Sequence, residues 1–235
     1  MPSSLNVFKK AGYRVHWLST QHKHGPFDTT VSVFARDADD TAFIGGKLDI
    51  DSGDPALDSE LLPRVREILS KKEQRVFLVL HTMGSHARYT RRYPASFNHF
   101  PADPAICEQV NELTKLDENI NRELVNAYDN TVRFTDYVLP QLIEMLKAEN
   151  AVSTLVYVSD HGENMGDEKI GAPFAHGTLT KSVLHVPLIA WASPEFRELY
   201  PAQMAALRAH VNTPFSSDTT FHLLVDLAGI QSNPG

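Results

Sequence analysis

Cysteine is almost missing from this chain. Cys107 is the only one in 235 residues, so no internal disulfide can form and the fold needs no oxidising compartment, although it does not exclude one. Long hydrophobic runs are missing too. No stretch of about 18 consecutive apolar residues occurs, and the opening segment has no apolar core of the signal-peptide kind, so the sequence as written is expected to be soluble and to carry no address. Basic charge is in deficit: 22 Lys and Arg against 29 Asp and Glu give −7, which argues against broad nucleic-acid binding because no surplus exists to neutralise phosphates. A local basic patch at Arg88, Arg91 and Arg92 escapes that argument. Internal repeats, linkers and low-complexity segments are absent as well.

What is there suits one large α/β domain with its own core. The stretch around which the rest organises is Ser153 to Asn164, where the β-branched run Leu155-Val156-Tyr157-Val158 stops at Ser159-Asp160-His161-Gly162. That pattern reads as a buried strand delivering polar groups from its carboxyl end, the end at which ligands bind in open α/β sheets. A carboxylate beside an imidazole there suggests a metal or phosphoryl site, with zinc or manganese suited better than magnesium alone. A second apolar strand, Arg75 to Leu80, empties into His81-Thr82-Met83-Gly84-Ser85-His86. The recurrence predicts a parallel sheet with a site along one edge. His81, nearest the strand, fits a structural and a functional role equally, whereas His86, beyond Gly84, is read as functional. His176, before Gly177, lies a short loop away from Asp160 and His161 and is expected to converge with them.

The other segments frame this site. A short amphipathic helix ended by Gly12 feeds a strand over Tyr13–Leu18. His22, Lys23 and His24 lie in a polar loop read as solvated, with contact to an anionic substrate as the alternative. A short helix is expected within Asp28–Ala38, a strand fragment at Ala42–Ile44, a turn-rich connection from Gly45 to Pro55, and a surface helix over Asp58–Lys71. From Tyr93-Pro94 to about Asp117 no element is recognisable. A long helix over Leu124–Leu146 should kink or restart at Pro140, with Asp129 and Asn130 read as solvated positions rather than site groups. A third strand is expected over Val183–Trp191, with Pro187 at an edge or a start. Amphipathic helices near Ala202–His210 and Ser217–Ala228 close the chain, the last capped by Ser217 or Asp218 and ended by Gly229.

Taken in order, Ala11-Gly12-Tyr13, Trp17-Leu18-Ser19, His81 to His86, Arg92-Tyr93-Pro94, Tyr128-Asp129-Asn130-Thr131, Val158 to Glu163, His176-Gly177 and Val186-Pro187 resemble the phosphoethanolamine transferases, a sulfatase-like branch of the alkaline phosphatase superfamily. The likeness covers nearly the whole chain. It implies a three-layer α/β/α domain with a mostly parallel sheet, facing the periplasm from the bacterial inner membrane. It further implies transfer of phosphoethanolamine from phosphatidylethanolamine to lipopolysaccharide, on lipid A or core, or to another envelope glycan. By the same resemblance Asp160 and His161 match the zinc-ligating pair, and His86 and His176 match histidines that meet the transferred phosphoryl group or a second zinc. Ser85 and His81 are weaker candidates for substrate contact.

In that family a nucleophilic threonine and a further acidic zinc ligand precede the Ala-Gly-Tyr element. Thr20, Thr29 and Thr30 follow it, so the resemblance makes none of them the nucleophile. Residues 1–235 are therefore expected to be a single sulfatase-like catalytic domain, N-terminally truncated, without its N-terminal strand, nucleophile segment and membrane helices, and inactive alone. A sulfatase or phosphodiesterase-type hydrolase and a non-catalytic zinc-binding remnant are the alternatives.

Overall fold

A computed structural model describes residues 3–23, 29–45, 56–110, 117–166, 175–177 and 179–231. His24, the connection over 46–55, the loop over 167–174 and the side chain of Thr29 lie outside the described residues.

In chain order the elements are α1 (Ser4–Lys10), β1 (Arg14–Ser19), α2 (Thr29–Ala35), β2 (Asp40–Phe43), α3 (Leu62–Ser70), β3 (Val76–His81), α4 (Pro104–Cys107), α5 (Glu118–Ala148), β4 (Thr154–Val158), α6 (Lys181–Leu184), β5 (Leu188–Ala192), α7 (Pro194–Leu199), α8 (Pro201–Ala209) and α9 (Thr220–Leu227). Helix α1 begins where Ser3 Oγ accepts the N–H of Asn6 and ends before Gly12, whose φ of +84° turns the chain into β1. β1 is the centre of a parallel sheet of order β2-β1-β3. β4 and β5 pair separately and antiparallel, Thr154 opposite Ala192 and Val158 opposite Leu188. The strands lie between two helical layers. Leu62, Val65 and Ile68 of α3 and Phe134, Val138 and Leu142 of α5 pack on one side; Leu5 and Phe8 of α1 with Leu224 and Val225 of α9 pack on the other. This is a mixed α/β fold with a mostly parallel sheet flanked by helices, as the resemblance implies.

Several elements differ from the sequence reading, each for a visible reason. The excursion after Pro94 holds α4, started by Asp103 accepting the N–H of Ala105 at 2.8 Å, with Cys107 buried beneath it. Pro140 neither restarts nor ends α5, which runs unbroken from its Asp117 cap to Ala148. Val183 belongs to α6, because Thr180 caps that turn and Val183 is buried there; the strand starts only after Pro187. Ser217 and Asp218 form a 3-10 turn instead of capping α9, while Gly229, at φ +64°, does end it.

Candidate metal and phosphoryl site

The loops that leave β3 and β4 converge on residues 175–177. His86 lies with its ring centroid 5.4 Å from that of His176, and His161 with its centroid 4.1 Å away. His161, Glu163 and His176 each offer a ligand atom within 4.8 Å of the others. Three of the four principal residues predicted from sequence thus meet at one rim.

Local chemistry explains the convergence. The N–H of Gly162 donates to Val183 O at 2.7 Å, and a Cβ there would stand 2.1 Å from Ser182 O, so only glycine permits this approach. His161 Nδ1 is 2.9 Å from Gly162 O, which fixes the proton on that nitrogen and leaves Nε2 as the donor atom for a ligand. Asn164 and Ala175 exchange two backbone hydrogen bonds of 3.0 Å, closing the intervening loop and returning His176 to His161. Ala175 sits at φ +74°, a left-handed conformation unfavourable to a side chain and held by that bridge.

Glu163 is the buried hub. It is 6% exposed, accepts from His176 Nδ1 at 3.0 Å and from the Tyr89 hydroxyl at 3.2 Å. Burial pushes its carboxyl up, against the pull of His176, and the same burial, with Glu163 beside it, pushes the Tyr89 phenol well up. With Nδ1 of His176 occupied, Nε2 is its free nitrogen. Burial, reinforced by the Arg92 guanidinium, holds the His86 imidazole below its ordinary value and favours the neutral ring.

Asp160 is placed differently. Its side chain is 88% exposed, accepts the N–H of His161 at 3.0 Å and reaches His161 Nε2 at 3.8 Å. Two ligand atoms on one tetrahedral zinc stand roughly 3.3–3.6 Å apart, so this pair is near that spacing, on the open side of His161. Ser85 Oγ lies 2.6 Å from Thr131 Oγ1. His81 Nδ1 meets Ser19 Oγ at 2.9 Å and its ring stacks on Trp17, contacts that bind β3 to β1.

Four features were not read as site groups from sequence. Glu163 was quoted in the motif without a role. Asp58, read as the start of a surface helix, is 7% exposed and accepts from Thr20 Oγ1 at 2.8 Å, Met83 N at 3.0 Å and Gly84 N at 2.9 Å. Arg92 turns inward, donating to His86 O at 3.2 Å and Ala87 O at 3.1 Å; burial brings its guanidinium down to about 10. Asn130, expected to be solvated, is fully buried, accepting from His99 N and Phe100 N and donating to Phe100 O at 2.8 Å. Helical phase is the signal that could have found it, because position 130 lies on the same face of α5 as Ala127 and Phe134.

Thr20 is 2% exposed, its hydroxyl donating to Asp58 and accepting from Met83 N at 3.0 Å. That hydroxyl is committed to holding β1 and β3 together. Among the described residues, no helix is long and apolar enough to cross a membrane.

Comparison with known proteins places this geometry. The sulfatase family profile matches residues 2–230. Phosphoethanolamine transferase EptA of Salmonella typhimurium (strain LT2) is 35% identical over 163 residues, which is 66% of this chain and 28% of that protein. Phosphoethanolamine transferase EptC of Escherichia coli (strain K12) is 27% identical over 236 residues, covering 97% of this chain and 38% of that protein. The chain thus spans well under half of these relatives. The crystal structure of the C-terminal periplasmic domain of Escherichia coli EptC in complex with Zn superposes with a TM-score of 0.79 at 26% identity, over 97% of this chain and 62% of that one. The soluble domain of lipooligosaccharide phosphoethanolamine transferase A from Neisseria meningitidis gives 0.76 at 27% identity, over 96% and 65%.

Proposed function

The chain belongs to the sulfatase family, and from that premise we propose that it is part of a phosphoethanolamine transferase acting at the periplasmic face of the bacterial inner membrane. The donor would be phosphatidylethanolamine and the acceptor lipopolysaccharide, on lipid A or core, or another envelope glycan. The observation that carries this reading is the convergence of His86, His161 and His176 around buried Glu163.

The donor set fits zinc: imidazole nitrogens with a carboxylate are ligands it takes, and both His161 and His176 have their Nδ1 occupied so that Nε2 is available. We assign His161 to the ion together with Asp160, with Glu163 within reach as a further ligand. When bound, zinc would lower the pKa of a hydroxyl nucleophile and neutralise phosphoryl oxygens. In the transfer itself a hydroxyl oxygen bonds to phosphorus as the glycerolipid oxygen leaves, and the acceptor displaces the phospho-enzyme in a second step. His176, with Glu163 keeping a proton on Nδ1, presents Nε2 to the departing or entering oxygen, and His86 presents a neutral ring to the same group. Thr20 is already bonded to Asp58, so the nucleophile is assigned to none of the described threonines.

Two measurements test this. Calorimetric zinc titration should show affinity falling at least tenfold in His161→Ala, with a loss also in Asp160→Ala, and no change in His22→Ala; equal loss in all three would refute the assignment. A chimera carrying this chain in place of the matching segment of the Escherichia coli EptC domain, within the full-length enzyme, should transfer phosphoethanolamine only when acceptor is present. His86→Ala and His176→Ala should each cut that transfer by about a hundredfold or more. Release of free phosphoethanolamine at one rate with and without acceptor would mark a hydrolase instead.

A further inference from the structure

The rim is built from two loops, and one hydrogen bond between side chains crosses from the first to the second. Tyr89 lies three residues past His86 on the loop that leaves β3, and Glu163 two residues past His161 on the loop that leaves β4. The Tyr89 hydroxyl donates to Glu163 Oε2 at 3.2 Å, while His176 Nδ1 lies 3.0 Å from Glu163 Oε1. The carboxylate thus gives one oxygen to each donor. An ionised carboxylate only accepts, so both the phenol and the imidazole must turn a proton toward it.

Packing alone does not ask for a hydroxyl at this place. The Tyr89 ring is 1% exposed, belongs to the cluster of Leu124, Ala127 and Met165, and meets Tyr128 edge-on with centroids 5.5 Å apart. A phenylalanine would fill the same space and leave no buried hydroxyl to satisfy. The backbone points the same way. Arg88 stands at φ +59° and ψ +54°, a left-handed conformation unfavourable to a side chain, and enters the turn Tyr89–Arg91, where Arg88 stays exposed and Tyr89 is buried.

We propose that Tyr89 is a positioning residue for His176, acting through Glu163: its hydroxyl holds the carboxylate turned so that Oε1 keeps the proton on His176 Nδ1 and leaves Nε2 open to the rim. The same bond ties the β3 loop to the β4 loop, and so holds the His86 and His176 rings at their centroid separation of 5.4 Å. Without the hydroxyl, Glu163 keeps one of these two donors and is free to turn. Nδ1 then loses its fixed acceptor, and the neutral ring divides between two tautomers, one of which blocks Nε2 with a proton. The inference rests on the role that the transferase reading gives His176, although the contacts it invokes need neither zinc nor acceptor.

Nitrogen NMR of the His176 ring in the zinc-free intact chain tests it, at about pH 8, above the ordinary imidazole range. In the unsubstituted chain Nδ1 should carry the proton and Nε2 should show the shift of an unprotonated nitrogen. In Tyr89→Phe, which keeps the buried ring, the two shifts should move toward each other as the tautomers mix. In the chimera with the Escherichia coli EptC domain, Tyr89→Phe should lower kcat for transfer about tenfold with KM for the donor unchanged, and by less than about twofold when added to Glu163→Gln. A ring spectrum unchanged by Tyr89→Phe would overturn the proposal. So would equal losses of kcat with and without Glu163→Gln, since the hydroxyl would then act by another route, and so would a Tyr89→Phe chain that no longer melts cooperatively, which would give the hydroxyl to the fold alone. A chimera that transfers nothing even when unsubstituted would count against the transferase reading, and the ring spectrum would then decide the role of Tyr89 by itself.

Discussion

Asp58 ties three segments together, and removing its carboxylate is the sharpest test of how the rim is held. The side chain is 7% exposed and accepts the Thr20 hydroxyl and the backbone N–H groups of Met83 and Gly84. It therefore fixes the end of β1 to the loop that carries Ser85 and His86, while the half-buried Arg92 grips that loop through His86 O and Ala87 O. Asp58→Ala leaves the Thr20 hydroxyl and the N–H of Gly84 without an acceptor, while Met83 N keeps its bond to Thr20 Oγ1. Each unsatisfied group costs about 1–3 kcal/mol, so a total of roughly 4 kcal/mol is expected for the two. For a chain of this size that lowers Tm by about 8–16 °C. Urea denaturation with an unchanged m-value would measure it, and Thr20→Val, which removes only the hydroxyl, should cost about 1 kcal/mol in the same assay. A loss below about 0.5 kcal/mol in Asp58→Ala would refute the reasoning, because it would mean that water satisfies those donors as well as the carboxylate does.

Other substitutions follow from single contacts. Asn130→Ala should cost about 2 kcal/mol by urea denaturation, since it takes the acceptor from Phe100 N–H and the donor from Phe100 O, while His99 N–H keeps its bond to Phe97 O. Gly162→Ala drives a Cβ to within 2.1 Å of Ser182 O; a loss of about 3 kcal/mol and a weaker zinc titration are expected together, because the loop carrying His161 must leave Val183. Asp39, which accepts Val15 N at 2.9 Å and pairs with Lys9, has its carboxyl held below the usual value by the backbone bond first and the lysine second. A depressed carboxyl contributes stability above its unfolded pKa of about 3.9 and loses it as pH falls through the folded value. The acid limb of a Tm-against-pH curve below about pH 4 should therefore flatten in Asp39→Asn, with a loss at pH 7 of about 1 kcal/mol or less because solvent reaches the pair.

Where each chain segment became legible, a local rule sufficed. The run Leu155–Val158 gave way to polar groups and β4 ends there, although its residues are half-buried where the sequence predicts a buried strand. Gly12 and Gly229 announced turns that need positive φ, and both adopt it. The same local rules misled where one residue type serves two ends. The apolar run from Val183 was read as a strand, yet its first part is the buried face of a helical turn capped by Thr180. Pro140 does not restart α5, which has Phe134, Val138 and Leu142 in one cluster with α3 residues across that point. Burial of Asp58 and Asn130 was harder to read for a different reason: a polar residue is read as exposed until the donors that will surround it are known, and these come from residues 20, 83 and 84 in one case and 99 and 100 in the other.

The site itself divides along the same line. Strand ends are local, so His86, His161 and His176 could be picked out singly; that they meet is a property of strand order, which no local pattern specifies. Glu163 shows the consequence. Two residues beyond His161, it would be taken for a solvated loop acid, but Tyr89 and His176, 74 and 13 residues away, come to it only because the β3 and β4 loops share a rim and the Asn164–Ala175 bridge folds the second loop back. Asp160, the residue most conspicuous in the motif, stays on the solvent side at 88% exposure while Glu163 takes the interior. An exposed carboxylate can swing toward an arriving cation at little cost. A buried one bonded to a phenol and an imidazole cannot move without breaking both, so Glu163 fixes the ring orientation of His176, and under the proposed function Asp160 would supply the mobile ligand beside His161.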